Sequence, residues 1–544
     1  MNDGGGAGAR VAAWMIAAGA IAVVLIALPY KAFDLDRFFV PKELVLHVVA
    51  LVCALAALAR ARRLEMSRVD TLLAAYLILG AVSAVLAPNW WLAGRALALS
   101  LSGAVVFWSA RSAVRAGEGE VILGAISLAV VLAAATSLLQ AYGVRTELFS
   151  INRAPGGTLG NRNFVAHLAA IGAPLLLMRT LLARGRVGAW LGGASLALVS
   201  AALVLSRSRA AWLALIACAG ILAFTVLAGW RTWRAARLGP RVRLAGVAVA
   251  IGGAAALLLP NTLDWKSDSP YLDSVRGVVN YRDGSGRGRL VQYRNSVHMA
   301  LVHPVLGVGP GNWPVRYPRY ASKADPSLDK DDGMTSNPWP SSDWVAYLSE
   351  RGLPAFACLV LALAGLGVGA LLSMSRAGGA DRLMPPVVLL ATLVATLVVG
   401  MFDAVLLLPA PALLVWALLG ALAPPARTRR EIALDHRRGT AVLTALVLGG
   451  LAVAHSAAQV ASMSLVNGAT KRAVVERASA LDPGSYRIHI RLAESYARRG
   501  QCTHVRAHAG AARALFPNAP EPRRLLAECG VRGAGRGMRK GLGR

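Results

Sequence analysis

Acidic residues are scarce in this sequence, and charge of either sign is limited. Asp and Glu supply only 28 of the 544 residues, and all charged residues together make up 16% of the chain. Soluble domains carry about 25%. A soluble fold with 56% hydrophobic residues would expose large apolar patches. The scarcity therefore excludes a soluble protein and predicts a membrane protein, and the apolar runs described below predict that it is all-α.

Cysteine is also sparse, with five in the chain. Cys53, Cys218 and Cys358 fall within apolar runs, where they are expected to be small buried side chains. Lys and Arg outnumber acidic residues by 58 to 28, but they cluster between apolar runs, as membrane topology requires. The charge excess therefore favours anionic lipids, pyrophosphates and acidic sugars as partners, and no nucleic acid.

Apolar runs of about 20 residues predict about thirteen transmembrane helices in a polytopic bundle. They lie near residues 12–30, 41–59, 71–87, 95–110, 121–142, 164–183, 189–205, 211–229, 244–260, 353–373, 385–402, 404–423 and 440–459. Every second gap between them is basic, with Arg62, Arg111, Arg184, Arg241, Arg376 and Arg429 as examples. The positive-inside rule makes those gaps cytoplasmic. The N-terminus is then cytoplasmic and the C-terminus is periplasmic.

This topology divides the chain into five predicted parts. They are spans one to nine (1–260), a periplasmic loop or cap (261–352), spans ten to thirteen (353–459), a periplasmic helical domain (460–530) and a basic disordered tail (531–544). The large loop is rich in aromatic residues, which a folded binding surface requires and a simple linker does not.

The periplasmic helical domain contains a repeat. Ala478 and Pro483 recur 34 positions later as Ala512 and Pro517, a period that resembles a tetratricopeptide repeat. About one and a half repeats are present, so this part is expected to pack on the membrane domain or on a partner protein. Cys502 and Cys529 fall on neighbouring helices of the unit and are either a disulfide, which an oxidising periplasm permits, or two small core residues.

Three outward-facing segments carry the functional candidates. The first is Gly156–Phe164, whose Asn161, Arg162 and Asn163 enter a helix at its N-terminus, where unpaired N–H groups favour an anion. The second is Ser206–Trp212, whose Arg207 and Arg209 oppose the positive-inside trend. Guanidinium groups near a membrane usually have a partner, and pyrophosphate fits them bidentately.

The third segment begins with Gly288, Arg289 and Arg294 and runs on to the stretch His303–Trp313. Its apolar spacing predicts a helix that ends at Pro304, followed by a sharp glycine-rich turn. The turn is not a nucleotide-binding P-loop, because no Gly-Lys-Ser/Thr follows it.

These segments together resemble the O-antigen ligase and polymerase superfamily. The matching pieces are Gly157–Asn161 with Asn163 and Phe164, Ser208–Trp212, Gly288–Arg289, His303–Asn312, and Asp343–Trp344 with Glu350–Leu353, within residues 70–425. The resemblance implies a GT-C-like membrane bundle and a bacterial inner-membrane enzyme. Such an enzyme moves a glycan from undecaprenyl diphosphate to an acceptor sugar hydroxyl in lipopolysaccharide or surface polysaccharide biosynthesis. It implies no cofactor and no metal.

The resemblance also implies site residues. Arg209 and Arg289 would hold the diphosphate, with Arg162, Arg207 and Arg294 as helpers, and a substrate loop would contain Asn161, Asn163, Gly309, Gly311 and Asn312. The family's His-Asn pair before span ten is replaced here by Ser341 and Ser342. Asp343, His298 and His303 are the candidates for the missing general base.

The sequence is compatible with several functions. The acceptor could be a glycolipid, another glycan or a protein, which would correspond to a ligase, a polymerase or a protein O-glycosyltransferase. The tetratricopeptide-like tail favours a protein partner or an assembly complex. A lipid-linked glycan flippase and a non-catalytic scaffold are the alternatives from other classes.

Overall fold

The computed structural model describes residues 3–33, 35–59, 61–229, 233–234, 238–265, 267–277, 284–329, 333–425 and 428–529. The predicted basic tail at residues 531–544 lies outside these ranges. The described chain is almost entirely helical, and this confirms the all-α prediction.

The first part of the chain forms long helices joined by short loops. They are α1 (Asp3–Leu25), α2 (Asp36–Leu58), α3 (Arg68–Val85), α4 (Trp90–Arg115), α5 (Gly119–Ala141), α6 (Arg162–Leu181), α7 (Arg186–Ser206), α8 (Arg209–Ala228) and α9 (Gly239–Leu258). Single 3-10 turns occupy Lys31–Phe33 and Gly157–Leu159.

Shorter helices follow in the predicted loop, and long ones then return. They are α10 (Pro270–Arg276), α11 (Gly284–Val302), α12 (Trp313–Arg316), α13 (Asp343–Ser375), α14 (Ala380–Phe402), α15 (Pro409–Leu422), α16 (Arg438–Val466), α17 (Arg472–Leu481), α18 (Tyr486–Ala497) and α19 (Cys502–Leu515). A 3-10 turn lies at Tyr317–Arg319, and residues 520–529 are also helical. Two strands, β1 (Arg63–Met66) and β2 (Arg430–Ala433), pair antiparallel.

Twelve described helices are long and apolar enough to cross a membrane, which confirms a polytopic membrane bundle. The predicted span at 404–423 differs from the other twelve. Its helix α15 has only 14 residues and is roughly 21 Å long, short of the roughly 30 Å of a bilayer core. The reason is local: α14 ends at Phe402, and the chain becomes helical again only at Pro409, whose fixed φ suits a first helical turn.

The chain forms two compact units. The first consists of residues 1–76, 98–281 and 357–453, and the second of residues 77–97, 282–356 and 454–544. Of the predicted cap, the described residues up to 277 belong to the first unit, and the described residues from 284 belong to the second.

Helix α15 lies at the centre of the first unit. Every residue from Pro409 to Leu422 is buried, and the helix packs against α1, α2, α5, α6 and α14. Close approach depends on glycine here, because a Cβ on Gly420 would lie 2.3 Å from the carbonyl oxygen of Phe107. A short helix surrounded by others can be uniformly apolar, since no side of it faces water or headgroups.

The pairing of β1 with β2 joins two loops that the charge pattern predicts to be on the same side of the membrane. Arg63 aligns with Ala433 and Met66 with Arg430. The register brings Arg63 within 3.0 Å of the carboxylate of Glu431. The strands connect the segment after α2 to the segment before α16 through backbone hydrogen bonds rather than through contacts between helices.

The tail in the second unit consists of α17, α18, α19 and the helical residues 520–529. The 34-residue repeat relates α17 to α19 and α18 to residues 520–529, since Ala478 and Ala512 are both fully buried. Its identification with a tetratricopeptide unit stays a prediction. Cys502 and Cys529 form a disulfide across 27 residues, whereas Cys53, Cys218 and Cys358 are free.

Removing this disulfide should loosen the tail selectively. We expect the double variant Cys502→Ser, Cys529→Ser to lose about 3 kcal/mol in the free energy of opening the tail, because a closed loop of this size restricts the unfolded chain. Hydrogen exchange of α18 and α19 in the full-length protein measures this loss. Cys358→Ser is the control and should change nothing in the tail. Alkylation of Cys502 and Cys529 without a reducing agent would contradict the assignment.

Candidate functional site

The first outward segment of the first unit is a tight turn that leads into α6. Gly160 has φ +78°, and a Cβ there would lie 2.5 Å from the ring of Phe38, so only glycine fits. The Asn161 side chain then accepts a hydrogen bond of 3.0 Å from the backbone N–H of Asn163 and caps the helix. These two features place Arg162 at the first position of α6, as the sequence predicts.

The second segment contains a strained residue. Arg207 ends α7 with φ 54°, ψ 29°, the left-handed region, and it is the one residue other than glycine with positive φ in the described chain. Glycine would fill this position at lower conformational cost, because a side chain in this region costs about 1–2 kcal/mol. Strain of this kind is typical of functional sites, and here it points to a requirement for the guanidinium.

Arg162 and Arg207 converge on one aromatic ring. Their guanidinium carbons lie 5.1 Å and 4.6 Å from the ring centroid of Trp265, which follows α9. Among the described residues, no carboxylate lies within salt-bridge distance of either side chain. Two like charges held together by an indole, rather than by acids, form a site ready for an anion.

The segment around α10 completes the surroundings of this pair. Arg207 Nε donates to the Ser274 hydroxyl at 3.0 Å, and Arg209, the first residue of α8, donates to the Gly277 carbonyl. Burial lowers the pKa of the Arg207 guanidinium, and Tyr271 and Asp273 oppose that shift. The Asp273 carboxylate accepts a hydrogen bond from the Ser267 hydroxyl. We call Arg162, Arg207, Arg209 and Trp265 the arginine cluster.

The glycine-rich segment of the second unit folds tightly against the start of α13. Gly307, Gly309 and Gly311 all have positive φ, and a Cβ on Gly307 would lie 2.3 Å from the backbone of Glu350. On the other side, a Cβ on Gly352 would lie 2.2 Å from the Val305 carbonyl. The glycines therefore permit close contact between two backbones.

The Glu350 carboxylate holds this segment in place. It is buried and accepts hydrogen bonds from the backbone N–H of Gly311, at 2.9 Å, and of Trp313, at 3.2 Å. The Glu350 carbonyl also accepts from the N–H of Gly309 at 2.9 Å. Buried side-chain oxygens are costly unless they accept hydrogen bonds, so these contacts give Glu350 a structural role that its sequence position does not reveal.

Asn312 connects the same segment to the rest of the second unit. It is fully buried, accepts from the backbone N–H of Asn89 at 2.8 Å, and donates to the Asn89 carbonyl at 3.0 Å. Asn89 donates in turn to the Leu515 carbonyl of the tail at 3.1 Å, and Asn518 donates to the Val315 carbonyl at 2.9 Å. The tail thus contacts Asn89 and helix α12, which adjoin the glycine-rich segment. Direct contact of Asn312 with substrate stays a prediction.

Arg289 and Arg294 lie on α11 of the second unit. They are five residues apart and hence about 140° apart around the helix, so the helix does not direct them to one point. Arg289 is half-buried, Arg294 is exposed, and neither forms an ion pair within the described ranges. Helix α11 also holds Ser341, because Gln292 accepts from its N–H at 2.7 Å and the Tyr293 hydroxyl donates to its carbonyl at 2.6 Å.

The three candidate bases differ in accessibility. Asp343 is fully buried at the start of α13, and the neighbouring Ser342 is 1% exposed. His303 is half-buried, with its Nε2 3.1 Å from the Tyr320 hydroxyl. His298 is exposed, and its ring meets Tyr320 edge-on at 5.7 Å. The structure therefore brings His298 and His303 together at Tyr320, and only His298 is open to an incoming acceptor.

Trp265, Ser274 and Glu350 were not assigned roles by the sequence. The signal available for Trp265 was its position: it is an aromatic residue shortly after a span, on the side that carries unexpected arginines.

For a metal, the described chain contains no group of three or more His, Cys, Asp or Glu side chains placed to hold one.

Part of the chain is similar to a known protein family. Residues 194–360 match the family model described as O-antigen ligase. This confirms the resemblance over that segment, which includes the Arg207–Arg209 turn, Trp265, α11 and the glycine-rich segment. No curated protein matches the chain.

Replacing Glu350 tests the structural role of its carboxylate. We expect Glu350→Gln to lower the unfolding free energy by about 2 kcal/mol, since it leaves one buried backbone N–H without its acceptor, at a cost of about 1–3 kcal/mol. Hydrogen exchange at Gly309, Gly311 and Trp313 should rise with it. Glu147→Gln, which changes an exposed carboxylate, is the matched control. Unchanged exchange in this segment would show that the carboxylate does not hold it.

Proposed function

We propose that this membrane protein, whose residues 194–360 carry an O-antigen ligase domain, transfers a glycan from undecaprenyl diphosphate to an acceptor hydroxyl. The family supports glycan transfer in polysaccharide biosynthesis. The observation that supports the donor class is the arginine cluster, in which Arg162 and Arg207 share the Trp265 ring. Neither has a salt-bridged carboxylate among the residues that the structure describes.

A lipid diphosphate suits the cluster in charge and in shape. Its oxygens can accept bidentate hydrogen bonds from the guanidinium groups. The acceptor oxygen attacks the anomeric carbon, the bond to the diphosphate oxygen breaks, and the acceptor proton passes to a base. Negative charge grows on the departing diphosphate, and preorganised cations stabilise that charge.

The location follows from the topology. The arginine cluster lies at the ends of α6 and α7 opposite to the basic gaps, so we assign it to the periplasmic side of the inner membrane. Arg289 and Arg294 on α11 are proposed to contact the donor or the acceptor glycan. Glycolipid, glycan and protein acceptors are all compatible with the cluster, because it recognises the donor.

Arg207 offers a variant that separates function from folding. We expect Arg207→Gly to fold at least as stably as the wild type, because it relieves a left-handed arginine that costs about 1–2 kcal/mol. Glycan transfer should fall about a hundredfold, the usual cost of removing one charge-stabilising donor. The assay uses full-length protein, undecaprenyl-diphosphate glycan and candidate acceptors, and it scores product by gel and mass.

Two further variants are compared with Arg207→Gly. Arg162→Gln should show a comparable loss, and Arg145→Gln, an exposed arginine in a loop predicted to lie on the same side, should transfer normally. Full activity in Arg207→Gly would remove the cluster from the donor site. Donor binding without transfer to any acceptor would favour the flippase or scaffold instead.

For the acceptor, we propose His298 as the group that takes the proton, because it is exposed while Asp343 is fully buried. His298→Ala should lower kcat about a hundredfold, within the usual contribution of a general base. His303→Ala, which alters the other histidine at Tyr320, is the comparison. A loss of this size in Asp343→Asn, with a normal kcat in His298→Ala, would transfer the role to Asp343.

A further inference from the structure

A cavity of about 1120 Å³ opens in the first unit between α16 and helices α1, α2 and α4. Its walls are made largely of small apolar residues, with Ala12, Ala50, Ala54, Ala98, Ala445 and Ala452 among them. His47 and Ser102 line it as well, with a hydrogen bond of 2.8 Å between their side chains. We call this cavity the α16 groove.

Helix α16 packs loosely on the rest of the first unit. In the 18-residue apolar stretch of this helix, only 6% of the residues are buried. The helix approaches α2 closely at Gly449, where a Cβ would lie 2.8 Å from Leu51, and both residues line the groove. Inside a bilayer, an apolar space of this kind is filled more favourably by hydrocarbon than by water.

The mouth of the α16 groove is positively charged. It is lined by Arg63, Arg111, Arg115 and Arg437, against the two carboxylates of Glu65 and Asp70. Arg111 pairs with Asp70 at 2.7 Å and Arg115 with Glu65 at 3.3 Å. Arg437 is exposed and forms no ion pair with a residue of the described chain. A positive charge is therefore left over where the groove opens.

We propose that the α16 groove binds one anionic glycerophospholipid. Its phosphate lies at Arg437, and one acyl chain extends between α16 and α2. Basic pockets between transmembrane helices on the cytoplasmic side suit anionic headgroups, and the charge pattern predicts the β1–β2 side to be cytoplasmic. A zwitterionic lipid such as phosphatidylcholine would bring a positively charged ammonium group to the same arginines and would bind less well. The site is separate in sequence and in lining from the arginine cluster.

Native mass spectrometry of the full-length protein, released from detergent, tests the proposal with dioleoyl phosphatidylglycerol and dioleoyl phosphatidylcholine as probes. We expect one retained phosphatidylglycerol and weaker retention of phosphatidylcholine. Arg437→Gln should weaken phosphatidylglycerol binding about fivefold, the equivalent of about 1 kcal/mol for one arginine near the headgroups. Arg382→Gln removes an exposed arginine that does not line the groove and should leave binding unchanged.

A second pair of variants tests the groove itself. Ala445→Trp fills it and should abolish retention of phosphatidylglycerol, whereas Val447→Trp, on an exposed part of the same helix, should not. Equal retention of the two lipids, or normal binding in Ala445→Trp, would overturn the proposal. Displacement of the lipid by inorganic phosphate at millimolar concentration would also overturn it, because the acyl chain would then contribute nothing.

Discussion

Two positive charges held against one indole ring are the constraint that organises the first unit. Arg162 and Arg207 repel each other, and the face of Trp265 offsets part of that cost. The arrangement requires the start of α6, the end of α7 and the segment after α9 to meet at one place. The close packing of α7 on α6 and α9 makes this meeting possible. An anion between the two guanidinium groups would offset their positive charge.

In the second unit, the main requirement is that a glycine-rich segment stays in one conformation. Glycine gives the backbone access to positive φ but also gives the unfolded chain more freedom. The buried Glu350 carboxylate and the Asn312–Asn89 pair compensate with hydrogen bonds to backbone groups. The tail contributes through Asn518 and Leu515. The tail is thus part of the support for this segment rather than a separate appendage.

Some features could be predicted because they depend on local chemistry. Runs of apolar residues defined twelve spans, since the bilayer imposes a length on each one. The Asn161 cap and the start of α6 followed from a short motif. The span at 404–423 could not be predicted as α15, because composition alone does not show where a helix begins within an apolar run. Its burial by five neighbouring helices is a property of the packed bundle.

The sequence by itself determined the membrane class, the family resemblance and the identity of the arginines, because these depend on residue type and order along the chain. Only the tertiary structure decided which arginines meet: Arg162 and Arg207 share a ring that stands more than fifty residues away from either. It also decided that Asp343 is buried while His298 is exposed. Burial and convergence depend on contacts between distant segments, and these contacts exist only once the helices have packed.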